Sequence, residues 1–422
     1  VEHFRYENNE LYCEEVSLAE LAEEFGTPLY VYSKNRIIDS YRSLQEGSPG
    51  KSVNICYALK ANANVGILKV LVAEGSGADV ASGGELSLAL RGGFSPSKIV
   101  FTGVGKREDE IAFALKEKIY CLYAESLQEL QLISRIAHAL GITARVGLRV
   151  NPHVDAESHP YITTGLNHHK FGIESGKIIE AFQYAASLPS LEVVGLHTHI
   201  GSQILKLEPY RATARYLASL VEQLRETQIR ISHVDVGGGF GVPYDHVVHH
   251  EGLGREDRPN NSAPAASEFI ATLLPILEPS GCTVWIEPGR SIVANAGVLL
   301  TRVLYTKENR KKKFVVVDAG MNDLIRPTLY DAYHQIVPLK IDTYEQEIVD
   351  VVGPVCETGD FLARDRSMLK TKQNDLLAVM STGAYGFVSS SNYNGRLRPA
   401  EIMVSHDKVR VIRQRETFED LI

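Results

Sequence analysis

Three groups of residues, far apart in the chain, carry chemistry that belongs together. Lys60 lies in the run Tyr57-Ala58-Leu59-Lys60-Ala61-Asn62, an amine at the end of a short apolar strand. Gly237-Gly238-Gly239-Phe240-Gly241 offers backbone N–H groups that no Cβ obstructs, as close approach to a phosphate requires. Glu287-Pro288-Gly289-Arg290 sets a carboxylate near a guanidinium. A lysine amine forms a Schiff base with an aldehyde, and a carboxylate pairs with a protonated pyridine nitrogen. Pyridoxal 5'-phosphate (PLP) meets all three needs and implies chemistry at the Cα of an amino acid. The glycine loop lacks the Lys-Ser/Thr ending of a P-loop and the spacing of a dinucleotide site, which argues against ATP and NAD.

Other side chains extend the set. In His199-Ile200-Gly201-Ser202-Gln203 the imidazole suits stacking on a flat heteroaromatic ring, and Ser202 suits a phosphate oxygen. His197 shares the strand face of His199, so the two-residue period leaves both histidines in play. Arg326 suits a two-point grip on a carboxylate, and Glu357 suits an ammonium, as a substrate with a second amino-acid head would need. Taken singly, each has an ordinary reading. Lys60 would be a surface lysine, the glycine loop a tight turn, and Glu287 with Arg290 a surface ion pair of little worth. Only their combination points to a site.

The elements that must position them read as alternating strands and helices. Strands are expected at Val53–Leu59, Ala78–Ala81, Lys98–Thr102, Tyr120–Ala124, Ala144–Val150, Val193–Ile200, His233–Val236 and Thr283–Glu287. Amphipathic stretches lie between them at Gly66–Glu74, Glu85–Arg91, Glu108–Lys116, Leu127–Leu140, Lys177–Ser187 and Tyr210–Thr227. Ser17-Leu18-Ala19-Glu20 and Ser126-Leu127-Gln128-Glu129 carry capping-box signatures. The alternation implies an α/β fold, a (β/α)8 TIM barrel, with a doubly wound open sheet as the alternative. Lys60, Asp79, His199, Gly237–Gly241 and Glu287 all follow strand ends, and in a barrel those ends share one face.

Beyond residue 291 the texture is β-rich, with segments at Gly297–Tyr305, Phe314–Val317, Glu347–Val352, Leu376–Met380 and Glu401–Val411. The expected division is a barrel over residues 36–290 and an all-β second domain, barrel or sandwich, from residues 1–35 and 291–422. The stretch from His246 to Ala266 reads as a polar, mobile loop. Its His246, His249 and His250 lack metal-ligand spacing, so no metal is expected.

The chain has 422 residues, 44% hydrophobic, with a formal net charge of −8. That is enough for two cores, and the acidic balance argues against nucleic-acid partners. No apolar run approaches the roughly 18 residues of a membrane span. The polar start Val1-Glu2-His3-Phe4-Arg5 lacks a signal-peptide core. Cys13, Cys56, Cys121, Cys282 and Cys356 form no C-x-x-C pair and read as reduced thiols of a cytoplasmic protein. Cys356, in the polar run Cys356-Glu357-Thr358-Gly359-Asp360, is the one placed for chemistry.

The assembled pattern resembles the fold-type III PLP-dependent decarboxylases. The resemblance runs along nearly the whole chain and rests on Tyr57–Asn62, Ser82–Leu86, His159–Gly165, Lys170–Ile173, His199–Gln203, Gly237–Gly241, Glu287–Arg290, Arg326–Tyr330, Cys356–Asp360 and Tyr385. The Asn322–Tyr330 and Cys356-Glu357 stretches are similar to the branch acting on meso-2,6-diaminopimelate. They differ from the relatives acting on ornithine, arginine or carboxynorspermidine.

The resemblance implies that Lys60 carries the cofactor, with Asp79 beside it, and that His199 stacks on the ring. Ser202, Gly238, Gly239, Gly289 and Arg290 would hold the phosphate, and Glu287 the pyridine nitrogen. Arg290, Arg326 and Tyr330 would bind the distal carboxylate and Glu357 the distal ammonium. Tyr385 would touch cofactor and substrate, and Cys356 would return a proton. It further implies a homodimer with shared active sites, Cys356 and Glu357 arriving from the second subunit. The stretch Asp245–Ala266 is longer than the family leads one to expect.

Overall fold

A computed structural model describes residues 2–50, 53–154, 170–253, 262–310 and 312–422. The chain divides into two compact units. One comprises Ser40–Gly241 and Ala263–Ser291, the other Val1–Asp39, Val242–Ser262 and Ile292–Ile422.

The first unit is a closed parallel barrel. Its eight strands are Val53–Ala58, Gly77–Val80, Ile99–Phe101, Cys121–Ala124, Ala144–Asn151, Leu191–His197, His233–Asp235 and Thr283–Ile286. Each pairs in parallel with its sequence neighbours, and the eighth pairs with the first to close the ring. All eight expected strands are present, and the helices Glu108–Lys116 and Leu127–Leu140 match the amphipathic periods that suggested them. The open sheet is thereby excluded. Inside the barrel, aromatic and polar rings face missing side chains. A Cβ on Gly195 would stand 2.2 Å from His233 Nε2, and one on Gly147 would stand 2.5 Å from the Tyr123 ring. Glycine at these two positions makes room for a layer of large polar residues.

Two helix entries anchor the strand ends. Ser126 Oγ accepts from Glu129 N–H (3.1 Å), as the capping signature suggests. Glu129 reaches one residue further back than a capping box, accepting from Glu125 N–H (2.8 Å). Its other oxygen is held at 2.8 Å by the buried Lys106 ammonium. Ser82 and Glu85 repeat the arrangement, Glu85 accepting from Ala81 N–H at 2.7 Å.

The second unit is built on a sheet running Phe361–Leu369, Gln346–Val352, Lys312–Val317, Gly297–Asn309, Leu29–Ser33, Ala400–Ser405 and Lys408–Arg413. Leu376–Val379 pairs with both Gly297–Asn309 and Ile336–Pro338. Its core gathers Leu18, Leu21, Leu29, Val31, Val298, Leu300, Met380 and Ile402. It is β-rich, with two short helices, Leu18–Phe25 and Arg326–Tyr330.

Three expectations need correction. Residues 242–262 belong to the β-rich unit, not to the barrel. Where described, the stretch from His246 to Ala266 is not a bare loop: Val248 is buried in the core, and the N–H groups of Val247 and Val248 donate to Gln335. Polar composition had masked those two valines. The helix Lys34–Glu46 was not anticipated, although Ile37, Tyr41 and Leu44 bury one face at helical spacing.

Candidate active site

Lys60 sits in a 3-10 turn, Leu59–Ala61, directly after the first barrel strand. Ala58 N–H donates to Pro288 O (3.1 Å), which ties this turn to the end of the eighth strand. Lys60 Nζ donates to Asp79 Oδ2 at 3.2 Å. Asp79 is buried near the end of the second strand and also accepts from Thr102 Oγ1 at 2.6 Å. The amine is therefore aimed by a carboxylate that is itself fixed.

Glu287 follows the eighth strand, its N–H donating to Gly237 O at 2.9 Å. It is buried, and one oxygen, Oε2, lies 3.3 Å from His197 Nε2. Among the described residues Oε1 has no hydrogen-bond donor. Burial and the nearby Asp79 push the Glu287 carboxyl well above the usual range. Burial and Glu287 do the same to Asp235, which is close enough to share a proton with Glu287. A buried carboxylate without a cation is costly, and a protonated pyridine nitrogen at Oε1 would relieve that cost.

The structure separates the two histidines that strand periodicity left open. The sixth strand ends at His197, earlier than expected, and Thr198 N–H donates to Asp235 O (2.9 Å) as part of its pairing with the seventh strand. His197 points into the barrel and stacks on Tyr123, ring centroids 4.5 Å apart. Burial lowers its pKa to about 4, so it is neutral. His199 lies beyond the strand, half-buried, and its Nδ1 accepts from Gly238 N–H at 3.1 Å. Burial and the Lys60 cation hold it neutral as well. His199 is thus the one joined to the glycine loop.

That loop has no room for side chains. A Cβ on Gly238 would meet Glu287 O at 2.1 Å, and one on Gly239, where φ is +92°, would meet Gly201 O at 2.2 Å. A Cβ on Gly289 would press on Ala61 at 2.8 Å. Arg290 Nη2 donates to Ser202 Oγ at 3.0 Å. Lys60, Asp79, His199, Ser202, Gly238, Gly239, Glu287, Gly289 and Arg290 all belong to the barrel unit. They fit PLP: an amine for its aldehyde, a glycine cradle with a serine and an arginine for its phosphate, and an unmatched carboxylate for its ring nitrogen.

The remaining residues singled out in the sequence lie in the β-rich unit. Arg326 opens the short helix Arg326–Tyr330 and is buried. Cys356 is the exposed cysteine, and the other four are buried. Its N–H donates to Asn394 Oδ1 at 2.8 Å. The turn bearing Cys356 and Glu357 is fastened by Asp360, whose oxygens accept from Met321 N–H and Val355 N–H, both at 2.6 Å. Thr328 Oγ1 donates to Gly359 O at 2.6 Å, which links this turn to the Arg326 helix. Tyr385 has a left-handed backbone, φ +57°.

Sequence reasoning passed over several residues. Asp235, Tyr123 and His233 form a buried network: Tyr123 Oη lies 2.8 Å from His233 Nε2 and 3.1 Å from Asp235 Oδ2. Arg149 pairs with the buried Glu125 at 3.0 Å, and Glu125 accepts from Gly172 N–H at 2.7 Å, fixing the Lys170–Ile173 motif. The available signal was polar residues at inward strand positions, as in His233-Val234-Asp235. The motif His159–Gly165 lies outside the described residues. His246, His249 and His250 do not converge: among the described residues the one group of three metal-capable side chains is His197, Asp235 and Glu287.

Comparison with known proteins agrees with this geometry. Residues 34–294 match the family described as pyridoxal-dependent decarboxylase, pyridoxal binding domain. The chain belongs to the PLP-dependent decarboxylases, enzymes of the carboxy-lyase class, and its cofactor is PLP. It is 44% identical to a diaminopimelate decarboxylase of Aquifex aeolicus over 100% of this chain and 96% of the relative. Identity to a diaminopimelate decarboxylase of Pseudomonas aeruginosa is 46%, covering 99% of this chain and 97% of the relative. A crystal structure of diaminopimelate decarboxylase from Helicobacter pylori complexed with L-lysine superposes with a TM-score of 0.89 at 42% identity, covering 96% of this chain and 98% of that one. No helix among the described residues is long and apolar enough to cross a membrane.

Proposed function

We propose that this chain decarboxylates meso-2,6-diaminopimelate to L-lysine and CO2, the last step of lysine biosynthesis by the diaminopimelate route. The reading is carried by identity that extends through the β-rich unit as well as the barrel, over the full length of relatives with that activity.

PLP, when bound, supplies an aldehyde for the substrate amine and a protonated ring that takes up the electron pair left at Cα. Lys60 would hold the cofactor, with Asp79 orienting its amine. Glu287 would hold the ring nitrogen and favour its protonated form, and His199 would lie against the ring. Ser202, Gly238, Gly239, Gly289 and Arg290 hold the phosphate. The Cα–carboxylate bond at the D-centre breaks, CO2 leaves, and the Cys356 thiol returns a proton to Cα.

Arg290, Arg326 and Tyr330 bind the distal carboxylate, Glu357 the distal ammonium, and Tyr385 touches cofactor and substrate. A monoamine substrate would leave Arg326 and Glu357 unmatched, which is the basis of selectivity. The β-rich unit completes the substrate site and forms the interface of a homodimer, in which Cys356 and Glu357 serve the second subunit's site. Five free thiols support a cytoplasmic setting.

The test is release of CO2 and lysine from meso-diaminopimelate with added PLP, alongside ornithine, arginine and the LL-isomer. Turnover of the meso compound alone is expected. Turnover of ornithine or arginine instead would keep the cofactor roles and overturn those of Arg326 and Glu357.

A further inference from the structure

A buried guanidinium has to be met by acceptors and surfaces of matching shape, and Arg326 is met on both counts. His334, fully buried, places Nε2 at 2.8 Å from Arg326 Nη1. The tautomer follows from the partners. His334 Nδ1 stands 2.7 Å from Met380 O, which only accepts, so Nδ1 carries the hydrogen. A guanidinium only donates, so Nε2 presents its lone pair to Arg326. A neutral imidazole alone satisfies both contacts. The backbone of the residue is pinned too, since His334 O accepts from Arg366 Nη1 at 2.7 Å.

Tyr244 covers the face of the same guanidinium, with Arg326 Cζ 4.6 Å from its ring centroid. It meets the His334 ring edge-on, centroids 5.2 Å apart at 85°. Tyr244 belongs to the stretch Val242–Ser262, which Gln335 anchors. Gln335 Oε1 accepts from Val247 N–H (2.8 Å) and Val248 N–H (3.0 Å), and its Nε2 donates to Val248 O (3.0 Å). The dipeptide His334-Gln335 therefore holds Arg326 directly and the segment bearing Tyr244 through Gln335.

We propose that Tyr244 and His334 are positioning residues that set substrate specificity by fixing the Arg326 guanidinium in one plane for the distal carboxylate of the substrate. This rests on the role given to Arg326 above. An arginine on an unrestrained stem must be ordered when its ligand binds, which weakens binding, whereas a clamped one is ordered beforehand. Tyr244, just ahead of the stretch whose composition suggests a mobile loop, is then a specificity residue.

The test compares holoenzymes carrying His334→Leu, Tyr244→Leu or Tyr244→Phe. It reads kcat and KM for meso-diaminopimelate, the visible absorbance of bound PLP, and inhibition by two probes. L-lysine keeps the distal carboxylate, and cadaverine has none. His334→Leu is expected to raise KM and the L-lysine inhibition constant about tenfold, as the loss of one charge-assisted hydrogen bond implies. Its kcat should stay within about twofold, the pattern of lost uniform binding. Cadaverine inhibition and the PLP absorbance should not move. Tyr244→Leu should act in the same direction more weakly, and Tyr244→Phe, which keeps the ring, should match the parent.

Parent-like KM and L-lysine inhibition in both leucine variants would overturn the proposal, as would an equal loss of cadaverine inhibition. Should His334→Leu fail to fold, the Tyr244→Leu and Tyr244→Phe pair decides alone. A parent enzyme that ignores meso-diaminopimelate would instead overturn the underlying reading.

Discussion

Two buried histidines, one in each unit, hold an ionisable partner in different ways. His197 in the barrel faces a carboxyl group that burial pushes towards its protonated form, with Nε2 3.3 Å from Glu287 Oε2. Its Nδ1 has no partner among the described residues, and the ring is steadied by stacking on Tyr123. His334 in the β-rich unit faces a guanidinium, so it accepts, and a backbone carbonyl dictates its tautomer. The barrel histidine sits in a network of groups whose protons can be shared, Glu287, Asp235, Tyr123 and His233. The other sits in a network whose proton positions its partners determine. The first suits a site where charge must be tuned against a cofactor. The second suits a site where a fixed charge must be aimed at a substrate.

If this division holds, barrel substitutions should disturb the cofactor and β-rich substitutions should leave it alone. The largest effect belongs to Lys60→Ala, which should abolish turnover and alter the visible absorbance of bound PLP while the melting temperature stays near that of the parent. Near-parent activity would sink the proposed role of this amine. Next comes Cys356→Ala, expected to lower kcat by on the order of a hundredfold, as loss of a proton donor does, with the PLP absorbance unchanged. Cys282→Ala, a buried thiol whose pKa is raised by burial, should change kcat little. Equal losses in the two would remove Cys356 from the proton-transfer role.

The smallest effect sharpens the comparison itself. His197→Leu leaves Glu287 without its imidazole partner and should weaken PLP binding about tenfold. KM for the substrate should not change. A KM change with intact PLP affinity would mean that the two histidines do the same work and that the division is wrong.

Much of this is legible in the sequence. Short strand-like segments alternating with amphipathic stretches located all eight barrel strands, and Lys60, Asp79, the glycine loop and Glu287 could be assigned to one face because a closed parallel barrel puts strand ends together. What escaped was of another kind. Choosing between His197 and His199 required knowing that the sixth strand stops at His197. Tyr244 and His334 were invisible because neither sits in a motif, and they meet Arg326 from segments 82 and 8 residues away in the chain. The stretch from His246 to Ala266 reads as a bare loop because its polar composition outweighs Val247 and Val248, whose N–H groups donate to Gln335.

The sequence by itself determined the elements, the cofactor class and the residues proposed to meet it. These follow from side-chain periodicity and from functional groups whose chemistry does not depend on their neighbours. Only the tertiary structure decided which histidine joins the glycine loop, which tautomer His334 adopts and what holds Arg326 in place. Hydrogen-bond partners buried far apart in sequence are selected by where the closed barrel and the folded sheet bring them, and no local pattern records that choice.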